Sequence, residues 1–406
     1  MAIFREIPPT AGFALRAKDL LSVFSAARDD GALERDFTQY LRAGYARITC
    51  SGTAAFYLIL EALKERSEKR TVVIPSFVCP LIPLAVKRAG MKARVCDITG
   101  RDFNYSHDEL EAVCAKDKDI VALLAVHLGG VPVDFDRIAA ACKRHGIFTI
   151  EDCAQSLGAE YKGRKTGTLG DAAFFSLSRG KGITTYEGGA IVTDKKELWP
   201  AIDRAMARLV TYDKAGEAWL LALLFGYWLF YRPLLFWPVF RLPQRFWNWK
   251  GDRVKAAAED FSMDFPVRRM SGARQAVGHS QFHRLDGEIK KQREKAASLI
   301  QGLKKIKGVS VIEEEKGSMA SYPYLTITFE DTKRRARALA ALEGSGMGGS
   351  FVYAMAIADY GYLSGIVADE NCRNGRSIAE SSITLSTSAF LGAGDIETVL
   401  DIIERS

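Results

Sequence analysis

The chain has 406 residues, of which 48% are hydrophobic and 26% charged. That balance excludes a disordered, collagenous or low-complexity chain, and the length allows a large core without disulfide staples. Lys plus Arg is 56 against 49 Asp plus Glu, and a net +7 spread over this length excludes a nucleic-acid binder built on a basic stripe.

The opening residues, MAIFREIPPTAG, lack a basic start followed by an apolar stretch, so no signal peptide is expected. From Ser51 to about Thr193 helices and strands alternate. Helices are predicted over 53–66, 81–89, 106–114 and 135–145, and strands over 71–74, 93–97, 120–126, 148–152, 172–177 and 189–193. Short strands interleaved with helices predict a mostly parallel sheet covered on both faces, with ligands at the carboxyl ends of its strands.

Between Glu217 and Lys250 the character changes. Five of the six tryptophans fall here (Trp219, Trp228, Trp237, Trp247, Trp249), and residues 218–231 form an apolar run of 14 without a charge. A membrane-crossing helix needs about 20 apolar residues, and a single crossing would put the two halves of the chain on opposite sides of a bilayer. Two readings remain. One is a segment or shallow hairpin lying at a membrane surface, which suits the aromatic residues and the basic cluster of Arg232, Arg241, Arg245, Lys250, Arg253 and Lys255. The other is a buried dimer interface or a cap on the core.

From Val267 onward a charged helical stretch runs through Leu285, Ile289, Leu299, Ile300 and Leu303. Strands are expected over 309–312, 322–328, 350–354 and 382–386, with helices over 332–342 and 395–403. This reads as a smaller α+β domain. The expected organisation is 1–216 as the large domain, 217–255 as the aromatic insertion and 256–406 as the small domain.

The seven cysteines show no CxxC spacing, which argues against zinc or disulfides and for free thiols in a reducing, cytoplasmic compartment. No metal site is expected. Gly344, Gly346 and Gly349 spell GxGxxG, but a helix precedes them and a strand follows, the reverse of the dinucleotide fingerprint. Gly158 and Gly163 begin a phosphate-loop pattern that Arg164 interrupts.

The predicted strand ends carry the chemistry. Ser51, Gly52 and Thr53 open a helix, where amides and a hydroxyl make either an anion site or a plain N-cap. Asp152 ends a strand, Ser176 ends another, and Lys181 follows between Gly180 and Gly182. Lysine forms Schiff bases with carbonyls. An anion cradle, an acid, a hydroxyl and a lysine on one sheet edge match what pyridoxal 5′-phosphate (PLP) demands.

With SGTAA at 51–55, IPSF at 74–77, VHLGG at 126–130, EDCAQSLGAEYKGRKTGTLGDAAFFSLS at 151–178, KGITTYEGGAIVT at 181–193 and RMSGARQAVGHSQ at 269–281, the chain resembles the DegT/DnrJ/StrS family of PLP-dependent sugar aminotransferases. The resemblance implies fold type I: an α/β large domain with a mostly parallel, doubly wound sheet, plus a smaller α+β domain. It makes Lys181 the Schiff-base lysine, with Asp152 at the pyridine nitrogen and Gln155 near the ring hydroxyl. Gly52, Thr53, Ala54 and Ser176 would hold the phosphate, and His127 would stand near the cofactor or behind the sheet. The position that usually carries a stacking aromatic holds Cys79, so stacking passes to Phe77 or weakens. The usual asparagine that reaches the neighbouring subunit's phosphate is Val267 here, with Arg268 as the candidate substitute. Stretch 353–362 lacks the usual histidine-containing substrate loop.

The implied reaction moves an amino group from an amino acid such as glutamate to a keto-sugar on a nucleotide, in polysaccharide or glycan biosynthesis, within a homodimer with shared sites. The insertion motivates an alternative acceptor that is amphipathic or membrane-held, and a peripheral place on the inner face of the membrane. A PLP-binding regulatory protein with little turnover is the competing class. Lys181 and Asp152 weigh against it.

Overall fold

The computed structural model describes residues 5–24, 31–368 and 372–406, without the side chains of Asn248 and Arg253. The large sheet begins with Tyr45–Thr49 (β1), Thr71–Pro75 (β2), Lys92–Cys96 (β3), Ile120–Val126 (β4) and Phe148–Asp152 (β5). A small hairpin follows, Glu160–Tyr161 (β6) with Arg164–Lys165 (β7), and then Ala172–Ser176 (β8) and Gly189–Thr193 (β9) return to the sheet. The spatial order is β1-β9-β8-β5-β4-β2-β3. β9 alone runs antiparallel to its neighbours.

This is the predicted α/β sheet, and the sequence explains it. β4, IVALLAV, is apolar and buried at every position, as a strand covered on both faces must be. The helices Gly52–Lys64, Leu81–Arg88 and Phe135–His145 supply cover. The last ends at Gly146, whose φ of 61° gives a left-handed cap.

The second layer is an antiparallel sheet of Val309–Val311 (β10), Tyr324–Phe329 (β11) and Ser382–Ser386 (β12). Helices Leu285–Leu303, Thr332–Ser345 and Ala393–Arg405 complete it around Leu299, Leu303, Leu325, Ile327, Leu342 and Ile383. The start of the chain joins this layer: Ile7 lies in its core, and Arg5 pairs with Asp395 through two bonds of 2.8 and 2.9 Å. The strand expected over 350–354 is reduced to a single bridge, Ser350 to Thr384. Its backbone is engaged elsewhere, because the Ala354 N–H donates to Glu259 at 3.0 Å.

The insertion is a bent helical pair, Lys214–Phe230 and Pro233–Trp247, meeting at 117°. Pro233 explains the break, since it holds Arg232 in an extended conformation (φ −138°, ψ 142°). No single helix among the described residues is long and apolar enough to cross a membrane. The first helix buries Leu224 and Tyr227 against the body, while Trp219 is 64% exposed and, beyond the bend, Leu234 is 71% exposed. Ten of the 14 exposed large hydrophobic residues among those described lie between 219 and 249, so the apolar surface is concentrated there.

The predicted basic cluster needs one correction. Arg241 is no surface charge: it is buried, with Glu6 bound through contacts of 2.9 and 2.6 Å and Glu343 at 3.2 Å. A guanidinium facing two carboxylates gains more from that pairing than from water on an otherwise apolar face. The side chain of Arg253 lies outside the described residues.

Candidate active site

The helix Gly52–Lys64 starts where β8 ends. A Cβ on Gly52 would stand 3.2 Å from the Ser176 Cβ, and one on Gly189 would stand 2.4 Å from the Ser51 backbone, so glycine permits this approach. Ser51 Oγ accepts from the Ala54 N–H at 3.0 Å, the N-cap arrangement. The helix ladder leaves the first-turn amides of Gly52 and Thr53 as donors. Ser176 Oγ meets Ser178 Oγ at 3.0 Å beside them. Two amides at the positive end of a helix, with two hydroxyls, form a donor set suited to a phosphate.

Asp152, the last residue of β5, is 6% exposed. Burial pushes its pKa up to about 6, against the lowering effects of the Ala154 N–H, which donates to Oδ1 at 2.9 Å, and of the charge of Lys181. Lys181 sits in the turn between β8 and β9 and is partly accessible. Burial lowers its pKa, and the neighbouring Cys79 and Asp152 counteract this. Gly180 takes φ of 72°, and a Cβ there would meet Thr10 Oγ1 at 2.4 Å. Gly182 has no comparable restriction, its nearest neighbour being Phe13 at 3.7 Å.

Of the expected cofactor residues, Thr53, Gln155, Ser176 and Lys181 keep accessible surface at this edge, with Gly52 and Asp152 beside them. Three others are buried. Ala54 is 0% exposed and its amide is taken by Ser51, so it offers a ligand nothing. Phe77 is 1% exposed, with its ring stacked on Phe103 at 6.2 Å and edge-on to Tyr353 at 5.3 Å, so it serves the core. His127 is 1% exposed. Its Nδ1 accepts from the Val133 N–H at 3.2 Å, so Nε2 carries the proton and donates to Glu151 at 3.1 Å. Glu151 also accepts from the amides of Gly167, Leu169 and Gly170 at 2.7–2.8 Å. Adjacent strand residues point to opposite faces, which separates this anchor from Asp152. Arg268 is ion-paired with Asp213 at 2.5 Å within its own chain.

Three residues join the site unforeseen. Tyr324, at the start of β11, donates its hydroxyl to Gln155 Oε1, which also accepts from the Gly129 N–H at 2.8 Å. Tyr353 feels the charges of Cys79, Asp152 and Glu259, and burial raises its pKa well above the usual tyrosine value. Glu259 is 7% exposed, and burial pushes its pKa up to about 7 although Tyr360 and the Ala354 amide both donate to it. The tyrosines at 353, 360 and 362 were the available signal.

Comparison with known proteins gives the chain's relatives. The profile of the DegT/DnrJ/EryC1/StrS aminotransferase family matches residues 22–220 and 258–404, passing over most of the aromatic insertion. The chain is 35% identical over 167 residues to GDP-perosamine synthase of Escherichia coli, covering 41% of this chain and 45% of that protein. It is 36% identical over 166 residues to the UDP-4-amino-4,6-dideoxy-N-acetyl-beta-L-altrosamine transaminase of Campylobacter jejuni, covering 41% and 43%. The matches thus span less than half the length of these relatives. Among solved structures, the E. coli GDP-4-keto-6-deoxy-D-mannose-3-dehydratase with bound hydrated PLP superposes with a TM-score of 0.75 at 19% identity, covering 98% of this chain and 100% of that one, a likeness of fold. The fold, the converging strand ends and a family match over most of its length agree: the chain belongs to the DegT/DnrJ/EryC1/StrS aminotransferase family.

Proposed function

We propose that this protein is a PLP-dependent transaminase that moves an amino group from an amino-acid donor such as glutamate to a keto-sugar. The observation that carries the reading is that Asp152 ends β5 and Lys181 follows the end of β8, its parallel neighbour, so both stand at one sheet edge, as do the Gly52 and Thr53 amides. When bound there, PLP supplies an electron sink and carries the amino group between the two half-reactions.

The chain's own groups have separable tasks. Gly52, Thr53 and Ser176 hold a phosphate. Asp152 would keep a proton on a pyridine nitrogen, and its ionised form, costly when buried, would gain a cationic partner there. Lys181, its pKa lowered by burial, offers a neutral amine more readily than a surface lysine, which suits a nucleophile that also moves the donor's α-proton. Gln155 is fixed by Gly129 and Tyr324 before any ligand arrives. A lysine at this position suits transamination. It also weighs against a protein that only binds the cofactor.

The assembly belongs to the same proposal. A homodimer with shared sites would place Arg268 near the neighbour's phosphate, where it would exchange Asp213 for a phosphate. The outward face of the insertion, with Trp219, Phe225, Phe230 and Leu234 exposed, favours docking on the inner face of a membrane. The reaction is tested without any acceptor. L-Glutamate added to PLP-loaded protein should release one equivalent of 2-oxoglutarate per site and exchange its α-hydrogen with solvent. Absence of both with every proteinogenic amino acid would remove the reading.

A further inference from the structure

The second limb of the insertion starts at Pro233 and runs through Trp249, and its two faces are opposite in kind. Arg241 and Gln244 are buried, and Arg241 fixes the limb to the body through Glu6 and Glu343. Leu234, Val239, Leu242, Phe246 and Trp249 are all exposed. From Val239 onward they recur every three or four residues, the spacing of one helix face. The step of five from Leu234 to Val239 crosses a π-helical turn, Trp237–Arg241, which takes up the additional residue.

An open cleft of about 600 Å³ lies on this limb, walled by Trp237, Leu242, Phe246, Trp247 and Trp249, with Arg245 as its one charged wall residue. Sites that hold a single small ligand have volumes of about 300–1,000 Å³. Lys250 Nζ stands 4.7 Å from the Phe246 ring centre and 5.5 Å from a Trp247 ring centre, so a second cation lies against the same walls.

Charge selects the occupant. From Ala218 to Gly251 the chain has four basic residues, Arg232, Arg241, Arg245 and Lys250, and no Asp or Glu. Arg241 is neutralised inside, and the other three are exposed. A two-fold contact of this face with a second copy would gather cations with no carboxylate of the segment to offset them. An anionic phospholipid has both complements: a phosphate for a guanidinium and a hydrocarbon chain for the aromatic walls. Tryptophan also favours the headgroup level of a bilayer.

We propose that the cleft is a site for one anionic phospholipid, with an acyl chain along the Trp237, Trp247 and Trp249 walls and the phosphate at Arg245, where Lys250 adds its charge. This rests on the membrane docking proposed above and names its ligand. It requires more than adsorption of an apolar face, because a discrete site saturates and distinguishes headgroups.

The test is calorimetric titration of the full PLP-loaded chain with lipid monomers below their micelle concentrations. The probes are dihexanoylphosphatidylglycerol, dihexanoylphosphatidylcholine and glycerol 3-phosphate, with phosphatidylglycerol vesicles in parallel. Dihexanoylphosphatidylglycerol should saturate at one per chain and bind about tenfold tighter than the other two soluble probes. Arg245→Gln should weaken it about fivefold. The double variant Phe246→Ser with Trp249→Ser, at exposed positions, should weaken both lipids about tenfold or more, with circular dichroism reporting that it is folded. Equal affinity for the two lipids, or indifference to both variants, would overturn the proposal. So would a lower oligomeric state of the double variant by light scattering, which would make the face a contact between copies. Binding of vesicles without binding of monomers would remove the site and leave membrane docking standing. Absence of both would remove both.

Discussion

The Gly180 N–H donates to the Tyr227 hydroxyl at 3.4 Å, tying the residue before Lys181 to the aromatic insertion. Tyr227 stacks on Tyr231 at 4.4 Å, and the Tyr231 hydroxyl donates to the Thr10 carbonyl at 2.9 Å. The insertion therefore has two unlike faces: an inner one that backs the lysine turn and an outer one made of exposed apolar side chains.

Tyr227→Ala should remove the stack and the contact behind Gly180, costing about 3 kcal/mol of stability and loosening cofactor retention. Phe230→Gln and Leu234→Gln, at exposed positions, should each stay within about 0.5 kcal/mol of wild type. Urea unfolding of the three variants checks both statements. Equal losses at all three positions would mean the outer face is also packed against protein.

Much of this was legible in the chain. The buried apolar run of β4 and the periodic helix Phe135–His145 announced themselves. The placement of Asp152 and Lys181 at one sheet edge was also legible, because strand ends and a glycine turn are local patterns. What escaped was long-range or competitive. Arg241 reads as a surface cation until Glu6, 235 positions away, is brought beside it. The Ala54 amide reads as a phosphate donor until Ser51 caps it. His127 is claimed by Glu151, a pairing set by which way each side chain points. Glu259 and Tyr353 escaped because the loop around 353–362 has no periodicity to place it.

Arg241→Ala should cost about 3–5 kcal/mol, because it leaves the buried Glu6 without its partner. It should leave binding to anionic vesicles unchanged. Arg245→Ala and Lys250→Ala, at exposed sites, should each weaken vesicle binding by about 1 kcal/mol and barely affect stability. Co-sedimentation and thermal unfolding separate the two classes, and loss of vesicle binding without loss of stability in Arg241→Ala would contradict the burial argument.

Asp152 gives a pH signature to the protein freed of cofactor. Its folded pKa of about 6 lies above the usual unfolded value of about 3.9, so the folded chain binds more protons between those limits. Stability should therefore fall, by about 2–3 kcal/mol at most, as pH rises from about 4 to above 6. Asp152→Asn should abolish that loss and make the cofactor-free protein more stable than wild type at pH 8. In the loaded enzyme the same change should slow transamination about 10²-fold or more, roughly 3 kcal/mol in the barrier. An unchanged rate would place the acid elsewhere.

If Arg268 serves the neighbouring subunit, co-expressing Lys181→Ala with Arg268→Ala should regenerate native sites in mixed dimers, about a quarter of the total by random pairing. The half-reaction yield measures this. A yield no higher than the two variants give when purified separately would mean each site is built within one chain.

The most direct test of the account is borohydride reduction of the PLP-loaded protein followed by peptide mapping. The account predicts a yellow protein in which reduction fixes the cofactor on Lys181, and a Lys181→Ala variant that takes up PLP only weakly and carries no label. A label on another lysine, or no chromophore after soaking with PLP, would contradict it.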